Sequence, residues 1–186
     1  LERPPIFAGL KRLTQGTAGE RVLIEALRSG IAVYSPHTAL DAAPRGVNDW
    51  LAQALGEGAR APLVPAADGS ADTGMGRSVV LATALGLNAI VARVKAHLGL
   101  AHLRVASAPK HDEGALITHA AVCAGAGGSL FAPLHGPELY LTGEMRHHDV
   151  RAKVTAGASV ILCDHTNTER GFLPTFARQL AQQLPA

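Results

Sequence analysis

Cysteine is nearly absent from this 186-residue chain, which holds two, Cys123 and Cys163. So few exclude the disulfide framework of a small secreted domain. Each closes an apolar run, so both read as buried free thiols of a reducing, cytoplasmic compartment. An excess of one charge sign is missing too. The 17 Lys and Arg nearly balance 15 Asp and Glu, giving a formal +2 without a basic run, so the footprint of a nucleic-acid binder is lacking. No apolar stretch approaches about 18 residues, and the front lacks a signal-peptide pattern, which argues against a membrane span. Internal repeats are absent, as are the P-loop and the dinucleotide fingerprint. There is no initiating Met, and the opening Pro4-Pro5-Ile6-Phe7 reads as a docked loop of a truncated or processed front.

What is present is a globular composition, 47% hydrophobic and 17% charged. Helical and strand-like patterns alternate, which predicts one α/β domain over residues 1–186, with a mostly parallel sheet and helices on both faces. The periodicity predicts helices over 18–29 and 47–55, one capped by Asn88 and closed by Gly99, and one bearing Val150 and Val154. Strands are expected at 31–34, 102–106, 116–123, 138–141 and 158–162. The stretch 56–78 reads as a long aperiodic connection, too short for an inserted domain. Residues 107–114 read as polar and exposed, and His97, His102 and His111 as surface residues.

The densest chemistry follows the last predicted strand, in Cys163-Asp164-His165-Thr166-Asn167-Thr168-Glu169-Arg170-Gly171. His165 and Glu169 are four residues apart, so on a helical turn they share a face and could meet at one metal ion. Thr166 and Glu169 equally fit a capping box. A second strand end carries His37 and Asp41, and a third carries Glu144, Arg146, His147, His148 and Asp149. The Gly-rich turn 125–129 is a weak phosphate signal and more simply a close backbone crossing. Arg77, closing Thr73-Gly74-Met75-Gly76, either holds an anion or ends a plain turn.

Taken in order, these stretches resemble the NIF-three-like family, also described as dinuclear-metal-centre hexameric proteins and as GTP cyclohydrolase I type 2 homologues. Pro4 to Phe7, Tyr34 to Pro44, Gly46-Val47-Asn48, Thr73 to Arg77, Cys123-Ala124-Gly125, Leu141 to Met145, His147 to Asp149 and Cys163 to Leu173 carry the likeness. The resemblance implies a toroidal homohexamer whose subunits each hold two divalent ions, of Zn, Fe, Mn or Ni. It casts Asp41 and His165 as ligands and Glu169 as the bridging carboxylate. His37, Glu144 and His148, with His147, would face substrate or carry protons. The activity implied is that of a metal-dependent hydrolase acting on a nucleotide or phosphoester; a non-catalytic ring-shaped scaffold is the rival reading. The family places further histidine ligands just before Pro-Pro-Ile-Phe, whereas this chain has Glu2-Arg3, and a guanidinium cannot ligate. Three ligands instead of five imply that one ion binds weakly or not at all.

Overall fold

A computed structural model of the chain describes residues 6, 8–67 and 69–184. Arg3 and most of the Pro-Pro-Ile-Phe stretch therefore lie outside the described residues. The chain divides into two compact units, Leu1–Leu40 and Asp41–Ala186.

In the first unit α1 (Ala18–Arg28) starts where the Thr17 hydroxyl accepts the Glu20 N–H at 3.2 Å. The strand expected at 31–34 does not form: Ile31, Val33 and Tyr34 stay exposed, and β-propensity without a pairing partner makes no strand. The short α2 (Thr38–Ala42) follows.

The second unit continues through α3 (Val47–Ala52), β1 (Gly58–Ala61), β2 (Val64–Pro65), β3 (Gly74–Met75), β4 (Arg77–Leu85) and α4 (Leu87–Leu98). Then come β5 (Arg104–Ala106), α5 (Pro109–Asp112), β6 (Ile117–Ala126), α6 (Gly128–Phe131), β7 (Leu139–Glu144), α7 (His147–Thr155), β8 (Ser159–Leu162) and α8 (Leu173–Gln183). The main sheet runs β1-β4-β6-β7-β8-β5, and β2 pairs with β3 apart from it. Strands β6, β7 and β8 are mutually parallel neighbours, whereas β4 and β5 run antiparallel to theirs and β1 reverses again beside β4. Four of the six strands thus point one way, and the expected α/β class is borne out.

Residues 120–124 of β6 are buried on both faces, as a central strand covered by two layers requires. One face packs Ala121, Cys123, Tyr140 and Val160 against Phe131 and the α7 residues Val150 and Val154. Helix α3 packs against β4 and β6 and buries Val47, Asn48, Leu51 and Ala52. No helix among the described residues is long and apolar enough to cross a membrane.

Several expectations are corrected. Residues 56–78 are not an aperiodic connection: they hold β1, β2 and β3, and β1 pairs with β4 from Gly58↔Leu81 to Ala61↔Ser78. Asn88 does not cap α4. The helix begins one residue earlier at Leu87, because Leu87, Ile90 and Val94 form its buried stripe, and Gly86 takes the cap position. Residues 107–114 include α5, whose His111 is buried on β8 with Nδ1 2.7 Å from Ser159 Oγ. Arg77 holds no anion. It is 2% exposed, pairs with Asp49 through Nε at 2.6 Å and Nη2 at 2.9 Å, and donates to the Gly74, Gly76 and Ala43 carbonyls.

Candidate functional site

Parallel strands deliver their C-terminal ends to one edge, the usual seat of chemistry in α/β sheets. Cys123 of β6, Thr142 of β7 and Leu162 of β8 stand in register across the three strands. Just beyond this row lie Gly125, Glu144 and the segment 163–169. The pairing of β7 with β8 continues past the strands, since Cys163 N–H donates to Thr142 O and Asp164 N–H to Gly143 O, both at 3.0 Å. At Asp164 the backbone swings to φ 64°, a left-handed conformation that Asp tolerates better than most residues, and its exposed carboxylate pairs through Oδ1 with the Arg104 guanidinium at 2.5 Å. That turn throws His165 back over the strand ends.

The segment after His165 is a 3-10 turn, Thr166–Thr168, not the longer helix that His165–Glu169 spacing suggests. The Thr168 hydroxyl donates to His165 O at 2.7 Å and accepts Gly125 N–H at 2.8 Å, locking the turn onto β6. Glu169 consequently does not serve the capping box: its carboxylate faces the imidazole. Glu169 Oε1 is 3.3 Å from His165 Nε2, and Glu144 Oε2 is 3.3 Å from His165 Nδ1. The imidazole is thus held between two carboxylates. Glu169 is 8% exposed, and its second oxygen, Oε2, is buried without a hydrogen-bond partner among the described residues. A buried orphan carboxylate oxygen is costly and marks a place suited to a cation.

Gly125 forms the floor. Its φ is 66°, and a Cβ there would stand 2.9 Å from both Glu169 Oε1 and His165 Nε2. Gly143 is as tightly set, since a Cβ would meet Gly125 O at 2.6 Å and His165 Cα at 2.8 Å. The 125–129 turn is therefore a close backbone crossing, as its composition implies.

Asp41 is anchored by Asn48, which is fully buried. The Asn48 amide donates to Asp41 O at 2.9 Å, and its Oδ1 accepts the Ala124 N–H at 2.8 Å, tying the segment that carries Asp41 to the end of β6. The carboxylates of Asp41 and Glu169 both act on one group, the Cys123 thiol. Burial pushes that thiol up to about 12, and the two negative charges add to the rise. A thiol held neutral is packing rather than a nucleophile.

Of the sequence-predicted residues, the structure brings together Glu144, His165 and Glu169. Asp41 lies near enough for its charge to reach the same thiol as that of Glu169. Among the described residues, no three His, Cys, Asp or Glu side chains stand ready around a single point to hold an ion. His148 is exposed on α7 with its ring 5.6 Å from that of His147, and among the described residues it makes no hydrogen bond to the His165 pair. His37 belongs to the first unit, where its φ is 42°. Sequence reasoning missed Asn48 and Thr168. Both sit in the stretches that carry the family likeness, but an amide and a hydroxyl that hold backbone leave no spacing signature.

The sequence profile described as Duf34/NIF3 (NGG1p interacting factor 3) matches residues 3–186. The chain is 42% identical to the protein NIF3 homolog of Schizosaccharomyces pombe over 175 residues, covering 91% of this chain and 62% of that protein. It is 40% identical to NGG1-interacting factor 3 of Saccharomyces cerevisiae over 188 residues, covering 96% and 65%. In fold it is similar to the crystal structure of a Bacillus cereus protein related to NIF3, with a TM-score of 0.77 at 17% identity, covering 98% of this chain and 76% of that one. The chain spans less than two thirds of both yeast proteins. With a profile match over nearly its whole length, the strand-end pair His165 and Glu169 stands on a chain that belongs to the Duf34/NIF3 family.

Proposed function

We propose that this protein is a divalent-metal-dependent hydrolase acting on a nucleotide or phosphoester. The observation that carries the reading is the buried, unpartnered Oε2 of Glu169 beside the His165 imidazole. Asp41, His165 and Glu169 would hold the metal, two ions of Zn, Fe, Mn or Ni where the site is complete; imidazole with carboxylate suits any of these. When bound, such ions supply Lewis-acid polarisation and lower the pKa of water.

The chain's own residues prepare for this. Glu144, a candidate proton carrier, also stands against His165. With a cation held at Nε2, the Glu144 carboxylate 3.3 Å from Nδ1 would accept that nitrogen's proton and orient the ring. Gly125 admits the ligands without a side chain, and Asn48 sets the position of the Asp41 backbone. His37 and His148 remain the other candidates for moving protons or meeting substrate.

The test is metal content by mass spectrometry on protein purified without added metal, alongside hydrolysis of GTP and of an aryl phosphodiester. We expect bound metal and turnover in the wild type and at least a tenfold loss of both in Glu169→Ala. Equal metal content in the two proteins would remove the reading. Native mass spectrometry on the same samples reads the proposed homohexamer directly.

A second reading is a cytoplasmic metal-binding scaffold without turnover. It is favoured by the absence, among the described residues, of a ready three-ligand set, and by the word "interacting" in the name of the budding-yeast relative. Metal binding without hydrolysis of either substrate would select it.

A further inference from the structure

A second concavity opens beside the Arg77–Asp49 pair, about 510 Å³ in volume, and none of Asp41, Glu144, His165 or Glu169 lines it. That size falls within the rough 300–1,000 Å³ of small-ligand sites. Its charge is unbalanced. Arg77 and Asp49 neutralise one another on the floor, leaving, among the described lining residues, Arg45 and Arg60 against the carboxylate of Asp72.

Neither remaining arginine is fully engaged. Arg60 gives Nη2 to the Gly56 carbonyl at 2.8 Å, while its Nε is buried without a partner. Arg45 is held at φ 59°, strained for a residue with a side chain, by bonds at both backbone groups: its N–H donates to Asp49 Oδ2 at 2.7 Å and its carbonyl accepts Gln179 Nε2 at 3.3 Å. Its guanidinium is exposed and makes no hydrogen bond or ion pair among the described residues. The indole of Trp50, half-buried between Gly171 and the His97 ring, supplies an aromatic wall.

We infer that this groove binds a small phosphate ester carrying a planar ring, of the mononucleotide kind. Guanidinium forks match phosphate oxygens in two-bond geometry, and the Trp50 indole lines the same groove, so a planar ring fits beside it. The groove shares its framework with the strand-end site. Successive residues of α3 point about 100° apart, so Asn48 serves Asp41 while Asp49 and Trp50 serve the groove. Likewise Glu169 faces His165 while Phe172 lines the groove and Gly171 packs against Trp50. Occupancy here bears on two of the segments that set the other site.

The inference goes beyond the hydrolase reading and needs no metal. Trp50 is the sole tryptophan of the chain, so its fluorescence reports this groove alone. AMP is titrated in excess chelator, with adenosine as the uncharged control, into wild type, Arg60→Gln and Gln53→Glu; Gln53 lies exposed on the rim, where a carboxylate repels an anion without disturbing the core. A saturable change with AMP is expected, weakened at least tenfold for adenosine and in each variant that keeps the wild-type melting temperature. No saturable change with AMP, an equal response to adenosine, or undiminished AMP binding in Gln53→Glu would overturn the inference. Because the titration excludes metal, its failure is separate from failure of the metal measurement.

Discussion

At the scale of single residues, the strand-end site depends as much on a missing side chain as on those present. Gly125 sits at φ 66° with Glu169 Oε1 and His165 Nε2 each 2.9 Å from where its Cβ would be. Gly125→Ala therefore imposes left-handed strain of about 1–2 kcal/mol and displaces both Glu169 and His165. The expected outcome is a lowered urea midpoint together with loss of metal, checked by chemical denaturation and metal content; unchanged metal content would place the ions elsewhere. His111 is a second residue with a measurable signature. Burial holds its pKa below the ordinary histidine value, with Lys110 acting in the same direction and Glu138 and Asp112 against it. The unfolded chain then binds the proton more readily than the folded one. The stability contributed is present above about pH 6.5 and is lost as pH falls through the folded value. His97 is lowered by burial in the same sense, opposed by a hydrogen bond to the Trp50 backbone. Urea midpoints should fall as pH drops from about 7 to 5, and His111→Gln should flatten part of that slope.

At the scale of elements, the Arg77–Asp49 pair joins the start of β4 to α3, and Arg77 also donates to the Gly74, Gly76 and Ala43 carbonyls. Removing one partner of a buried pair strands the other. Arg77→Ala is expected to cost about 3–5 kcal/mol, read as the shift in urea unfolding free energy; a cost below about 1 kcal/mol would show that Asp49 and the carbonyls find water instead. Sequence periodicity located α1, α3, α7 and the central strands because each has a regular apolar stripe or run. It passed over β4, whose burial alternates from Arg77 to Val80 and then breaks at a register shift before Leu85. It passed over α8, although Leu173, Phe176 and Leu180 recur there at helical spacing. The strand 31–34 was expected on propensity that pairing did not support.

At the scale of the whole molecule, the second unit is organised so that its thiols are sealed. Cys123 and Cys163 are free, buried and both pushed up to about 12, chiefly by loss of solvent. An aromatic disulfide reagent at neutral pH should find no fast-reacting thiol in the native protein and two after denaturation; one rapid thiol before denaturation would mean that the strand-end region opens. The amino-acid order alone determined the α/β class, the central strands and the ordered family motifs, including His165 and Glu169, since these depend on local periodicity and residue chemistry. Tertiary structure alone decided which atoms meet. The turn at Asp164 and the crossing at Gly125 set the imidazole between Glu144 and Glu169. The reach of Asn48 across 76 residues to Ala124 placed the backbone of Asp41. The donors of Arg77 went to the fold while Arg45 and Arg60 came to line a groove, because contacts between segments distant in sequence are fixed by packing, which no spacing along the chain records.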